Sequence, residues 1–320
     1  NLIIKDKKIT GIKIQNKSIE QIIHLSHGAI LCSGSIMTPY LLMHSGIGDK
    51  EHLKQFDKEI IIDNSNVGRN LQDHLGLDYL FKTHHHSLNK SLGTWPGRIT
   101  SVLKYIYNRK GPLSLSINQS GGYINWHSKH HYPNLQIYFN PLTYSITHKN
   151  KRPLLKTDKF NGFIIGYNSC RPKSLGRVAL NSPNFDDAPL IDPNFLSHEE
   201  DIYDVKCAIN FSKVLANTKS IKKIRNESVT HDLLNSTEEE LIDHFKSNAV
   251  SIYHPCGTCK MDEDPKKGVV SERLKVHGME NLWIADASVF PNITSGNINA
   301  PVMMLANLGS KFIIEDLNKI

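Results

Sequence analysis

Apolar and polar residues alternate with a short period over the first two dozen positions. Leu2 to Ile4, Thr10 to Ile14 and Ile19 to His24 are apolar alternations separated by Lys- and Asn-rich turns, which predicts a β-meander. Ala29-Ile30-Leu31-Cys32 is apolar throughout and ends in Ser33-Gly34-Ser35, the pattern of a buried strand entering a tight turn. Thr38-Pro39 then offers an N-cap and a proline for the first helical position, Leu41 to Met43 lie in that helix, and Ser45-Gly46 stops it. The period changes over residues 98–108, where Ile99, Val102, Leu103 and Ile106 fall at helical spacing and predict an amphipathic helix, broken at Gly111-Pro112. Residues 121–124, 135–139, 162–167 and 176–180 are expected as strands of one antiparallel sheet. A proline-punctuated loop follows over 187–195. A helix is expected from Asp201 to Ala216, with Ile202, Val205, Ile209 and Leu215 inward. Ser236-Thr237-Glu238-Glu239 is a capping box for a helix through Phe245. Leu282-Trp283-Ile284-Ala285 is a buried strand, and the polar knot Ser295-Gly296-Asn297-Ile298-Asn299-Ala300-Pro301 opens a last apolar helix.

Composition narrows the class. The 320 residues suffice for one large domain or two ordinary ones, and 39% hydrophobic with 22% charged residues marks a soluble globular chain. No apolar run approaches the length of a membrane span, and no charged-then-apolar leader begins the chain. The first residue is Asn1, which points to a piece of a longer product. The net charge of +7 is scattered Lys without the dense aromatic-interleaved basic tract of a nucleic-acid surface. It suits a solvated surface, with weak peripheral contact to an acidic membrane as the other use. Five cysteines argue against a disulfide framework and for a reducing, cytoplasmic compartment. Cys256 and Cys259 form a lone C-x-x-C without a second ligand pair, so they are expected as packing thiols and no metal site is assigned. His84-His85-His86 is expected as an exposed polar loop.

The candidate chemistry sits late in the chain. His254 lies in Tyr253-His254-Pro255-Cys256-Gly257-Thr258, where proline stiffens the turn and glycine admits close backbone approach. Asp286 follows the 282–285 strand, at the strand end where α/β sheets place ligands. On residue type alone, a lone histidine such as His254 reads first as a buried histidine satisfied by backbone, and Asn297 equally well as an N-cap or turn residue. The strand, glycine turn and helix over 29–43 could bring N–H groups to a cofactor, although an ordinary β–α corner is the simpler reading.

Two motifs in order resolve this. Residues 34–48, Gly34-Ser35-Ile36-Met37-Thr38-Pro39-Tyr40-Leu41-Leu42-Met43-His44-Ser45-Gly46-Ile47-Gly48, resemble the second signature of the glucose–methanol–choline (GMC) flavoprotein oxidoreductases. Val67-Gly68-Arg69-Asn70-Leu71-Gln72-Asp73-His74 is similar to the family's next landmark, and residues 254–261 to its C-terminal part in the choline dehydrogenase-like branch. Residues 111–123 and 171–178 fit the substrate domain of its bacterial alcohol dehydrogenases. The resemblance implies FAD as cofactor and oxidation of a primary alcohol to an aldehyde. His254 would be the base and Asn297 the second catalytic residue. Asp286 and Ala287 would lie against the ribityl and pyrophosphate part of FAD, and Asn297, Asn299 and Pro301 would also bind the cofactor, with the helix that opens near Ala300-Pro301 aimed at the flavin pyrimidine ring.

Two departures qualify the resemblance. The chain contains no G-x-G-x-x-G turn for the FAD pyrophosphate, so an N-terminal half supplied by another chain, or a truncated non-catalytic remnant, is the alternative expectation. Gly76 stands where choline-oxidising members carry a glutamate for the substrate ammonium, which implies a neutral, aliphatic or aromatic primary alcohol. A zinc-binding role for Cys256, Cys259 and His254 is the least favoured reading. The expected fold is mixed α/β and α+β. It comprises an incomplete FAD-binding domain (residues 1–76 and 274–320) and a substrate domain (77–273) with an antiparallel sheet flanked by helices.

Overall fold

The computed structural model describes residues 1–16, 19–127, 130–149 and 152–318. The chain forms two compact units of mixed helix and sheet: Asn1–His74, Arg171–Glu199 and Tyr253–Ile320 make the first, and Leu75–Cys170 with Glu200–Ile252 the second. The segment expected as one middle domain, 77–273, is thus divided. Gly176–Ala179 pairs with Arg69–Leu71, and the main chain of Cys256 bonds that of Gln72, so an interior stretch of the segment and its C-terminal end belong to the first unit.

In the first unit, Leu2–Lys5, Lys8–Asn16 and Ile19–His24 form the expected three-stranded antiparallel meander. Its first turn is Asp6-Lys7, with φ of 49° and 63°, the two left-handed residues that a tight hairpin needs to match strand twist. The expected turn at Lys17 lies outside the described residues. Ala29–Leu31 pairs in parallel with Leu282–Ile284. Around these strands Tyr40, Leu42, Met43, Leu71, Val178, Val270 and Ile284 belong to one buried apolar core.

The helix after Ala29–Leu31 starts earlier than Thr38-Pro39 predicts. It spans Gly34–His44 with Pro39 inside it. Proline has no N–H, which leaves the carbonyl four residues back without its helical partner. That carbonyl, on Ser35, accepts instead from the Thr258 hydroxyl at 2.6 Å. Thr38 does not cap; its hydroxyl donates to Asp286 Oδ2 at 2.7 Å. A contact 223 residues away in the chain thus replaces the hydrogen bond that Pro39 removes.

The second unit is built on a five-stranded antiparallel sheet. Its order is Val250–Ser251, Leu75–Lys82, Gly162–Ser169, Leu135–Asn140, Ser120–Ile124. One face stacks Tyr79 on Tyr167, Tyr167 on Phe245 and Phe81 on Phe163. The helices Glu199–Ala216 and Glu238–Asn248 carry Val205, Ile209, Leu241 and Phe245 into buried positions. The capping box is one residue later than expected: Thr237 caps, and Glu240 reaches back to accept from its main-chain N–H. Three further elements differ. Gly176–Ala179 joins the Arg69–Leu71 and Leu190–Asp192 strands and not the large sheet, so part of the 187–195 loop is strand. Tyr144–Lys149 and Arg152–Thr157 form a hairpin absent from the sequence reading. The expected amphipathic helix spans Trp95–Asn108, but its apolar stripe faces solvent. Among the described residues no helix is long and apolar enough to cross a membrane.

Candidate active site

Three stretches that are remote in sequence meet in the first unit. Residues 69–74 act as a bracket. Gln72 and Cys256 exchange main-chain hydrogen bonds of 3.0 and 2.9 Å. The Gln72 side chain accepts from the N–H of Ile293 at 3.1 Å, and Asn70 Nδ2 donates to the Gly257 carbonyl at 3.1 Å. On the other side, Gly257, Cys259 and Met261 donate in turn to the carbonyls of Ala287, Ser288 and Val289. The 253–261 loop is therefore clamped on both edges by backbone bonds. Two left-handed non-glycine residues mark the clamp, Asn70 at φ 61° and Tyr253 at φ 64°. Such strain persists only where surrounding bonds over-determine it.

His254 sits in that clamp, buried to 9% exposure. Its main-chain N–H donates to Asp73 Oδ1 at 2.9 Å. Its Nδ1 lies 2.9 Å from Nδ1 of His74, which is fully buried, and the two rings are almost perpendicular. Its Nε2 lies 3.1 Å from Nδ2 of Asn297. These contacts constrain the protons. An Nδ1–Nδ1 contact holds one hydrogen, since two would clash and none would oppose lone pairs. An amide nitrogen can only donate, so Nε2 of His254 is the acceptor and its Nδ1 carries the proton given to His74. Burial lowers the pKa of His254 below the ordinary histidine value. The ring is thus neutral near pH 7, with a lone pair on the nitrogen beside Asn297.

Asp286 ends the Leu282–Ile284 strand and is buried. Its Oδ2 accepts from the Gly34 N–H at 2.9 Å and from Thr38, and its Oδ1 accepts from the Ser288 N–H at 2.8 Å. The carboxylate ties the glycine turn of one parallel strand to the end of the other. Gly34 has φ 77° with open space where a Cβ would stand, so a ligand atom can approach this turn closely. The last helix spans Asn299–Leu317, one residue ahead of the expected Ala300, with no side-chain cap and no acidic residue in its first turn. Its first amides are open to an electron-rich group, and Asn299 is exposed beside them. These features fit the flavin and ribityl end of FAD; no G-x-G-x-x-G turn for its pyrophosphate occurs in the sequence.

Of the residues the sequence singled out, His254 and Asn297 come together, and Ala287 holds the loop that bears His254. Asp286 anchors the neighbouring turn, whereas Asn299 and Pro301 line the start of the helix. His74 and Asp73 were not assigned a role from sequence, although both stand in the motif that carries the resemblance. Cys256 and Cys259 are fully buried free thiols, and burial raises the thiol pKa of both, that of Cys256 to about 12. Burial thus favours the protonated thiol at both positions. Among the described residues no three His, Cys, Asp or Glu side chains form a metal-binding group, and His84, His85 and His86 are exposed.

Residues 1–76 match the N-terminal and residues 172–306 the C-terminal family model of GMC oxidoreductases. The expectation of a separate N-terminal half therefore has no support, because the family's N-terminal domain is represented in this chain. An alcohol dehydrogenase [acceptor] of Pseudomonas putida is 32% identical over 99% of the chain and 57% of its own length. An oxygen-dependent choline dehydrogenase of Cronobacter sakazakii is 31% identical over 95% of the chain and 54% of its own length. The chain thus spans a little over half the length of these relatives. Among solved structures, the formate oxidase of Aspergillus oryzae, studied for modification of its FAD, superposes with a TM-score of 0.88. It is 25% identical and matches 99% of this chain and 60% of its own.

Proposed function

Because the chain belongs to the GMC oxidoreductase family, we propose that it oxidises a primary alcohol to an aldehyde with FAD. His254 is the base and Asn297 its partner on the substrate oxygen. The observation that carries this reading is the chain of contacts Asn297–His254–His74, with 3.1 and 2.9 Å between successive nitrogens. Alcohol oxidation removes a proton from oxygen and a hydride from carbon. Bound FAD would supply the hydride acceptor, which no side chain can be. His254 would take the hydroxyl proton at Nε2, the nitrogen with the lone pair. In the resting arrangement Asn297 donates to that nitrogen; with an alcohol between them it would donate to the substrate oxygen and fix its orientation. His74 would accept from Nδ1 throughout and spread the charge that His254 gains. Asp286, Ala287 and the start of the Asn299–Leu317 helix would hold the flavin.

The substrate would be neutral. Gly76 stands at the position that resembles the ammonium-binding glutamate, and a Cβ there would lie 2.9 Å from Ile252 Cγ2 and 3.1 Å from the Tyr167 carbonyl, so a side chain would crowd both. Asp78, two residues on, is bonded by Tyr138 at 2.8 Å, and burial raises its pKa, which weakens it as a counter-charge.

The test is bleaching of flavin absorbance when primary alcohols are added anaerobically to the FAD-loaded chain. H254A should lower the bleaching rate by about 10²–10⁴-fold, the usual contribution of a positioned base. An H254A protein as fast as the parent would end the assignment, and efficient turnover of choline would end the neutral-substrate reading.

A further inference from the structure

The Trp95–Asn108 helix of the second unit is inside out. A surface helix normally turns its apolar stripe to the core. Here the residue that is buried is Ser101, at 4% exposure, while Trp95, Ile99, Leu103, Ile106 and Tyr107 stand 53 to 90% exposed. Trp95, Ile99, Leu103 and Ile106, spaced by four, four and three residues, lie on one side of the helix, and Tyr107 adjoins them at its end. The Thr94 hydroxyl caps the helix, and on the side away from the stripe the Ser101 hydroxyl bonds the Gly97 carbonyl of the preceding turn at 2.7 Å. The following turn extends the stripe with Leu113 and Leu115, both exposed. An apolar surface of this extent calls for an occupant.

Charge identifies it. Between Asp78 and Asp158 the sequence contains eleven Lys or Arg and no acidic residue. Arg98 and Arg109 border one side of the stripe and Lys110 follows its end, and among the described residues none of the three forms an ion pair. Trp95 and Tyr107 near the two ends are the aromatic residues that favour the boundary between hydrocarbon and headgroups. Self-association through this face would bring basic residues against their own counterparts, which opposes a second copy as occupant. We propose that the 95–115 face docks the protein on an anionic phospholipid surface, with the apolar stripe at the acyl boundary and the basic border on the headgroups. This stands whether or not the alcohol-oxidation reading holds.

The full chain should sediment with phosphatidylcholine vesicles that contain phosphatidylglycerol, and far less with phosphatidylcholine alone. Raising the salt should release it, because the charge attraction is screened beyond about 10 Å at 0.1 M. L103S/I106S changes two exposed side chains, so the fold is retained, and partitioning should weaken about tenfold or more per side chain. R98Q/R109Q/K110Q should weaken it about a hundredfold, on the scale of one kcal/mol per basic residue. Equal sedimentation with and without the anionic lipid overturns the proposal. So does binding indifferent to L103S/I106S, or absence of vesicle binding together with a dimer in light scattering that L103S/I106S abolishes.

Discussion

Replacing Gly257 by alanine tests whether the clamp around His254 is as tight as its bonds imply. Gly257 has φ 88°, and a methyl there would lie 2.6 Å from the Asn70 carbonyl oxygen and 2.7 Å from Asn70 Nδ2. The left-handed conformation alone costs an L-residue about 1–2 kcal/mol. Relieving overlap with backbone that cannot rotate away adds about 1–3 kcal/mol, as overpacking does elsewhere. Gly34 is the internal control: its φ is 77°, yet nothing lies within 4 Å of the added carbon. G34A bears the conformational cost only, and the smaller unfolded-state entropy of alanine offsets both variants equally. G257A should therefore be less stable than G34A by about 1–3 kcal/mol. Urea unfolding followed by fluorescence of buried Trp283, in a background with Trp95 and Trp126 changed to phenylalanine, reports on the first unit. Equal midpoints for the two variants would refute the steric argument.

Loss of the Nδ1 acceptor in H74F should lower kcat/KM by about tenfold to a hundredfold, and H74Q, which keeps an acceptor, should recover part of it. The ring-nitrogen shifts of His254 by NMR check the cause, since the parent should carry its proton on Nδ1. The acid limb of the kcat/KM profile should lie below the ordinary histidine value of about 6.5, because burial lowers the pKa of His254 and only its neutral form accepts a proton. His44 has a pKa lowered to about 4 by burial. Its unfolded form binds the proton first, so this contribution to stability is full above about pH 6.5 and is lost as pH falls toward about 4. H44F, packed between Tyr40 and Phe185, should remove that part of the acid sensitivity in pH-dependent urea titrations. D286A would orphan the Gly34 and Ser288 amides and the Thr38 hydroxyl. It should cost about 3–5 kcal/mol in thermal unfolding, whereas a loss below about 1 kcal/mol would mean water replaces the carboxylate.

What the sequence made legible follows the range of the forces involved. The meander over the first 24 residues was readable because alternation is a local property, and the Asp6-Lys7 turn closes it within two residues. The helix at Gly34–His44 was readable as a helix but not in its start, because its start depends on a hydroxyl from Thr258 that satisfies the carbonyl Pro39 abandons. The Tyr144–Lys149 and Arg152–Thr157 hairpin was hidden because Pro153 and the surrounding Lys, Thr and His weaken every strand signal, as on an exposed edge. Gly176–Ala179 was recognisable as a strand, yet nothing within four residues says which sheet it joins; its partner is the motif that carries Asn70. The stripe at Ile99, Leu103 and Ile106 gave the helix but not its orientation, because periodicity says that a face is apolar and not what covers it. The candidate site shows the same division. His254 and Asn297 were singled out through motifs, but the contact of His254 with His74, 180 residues earlier, was not. A base is chosen by residue type, which sequence carries; which of its nitrogens is free depends on partners that only the fold brings within 3 Å.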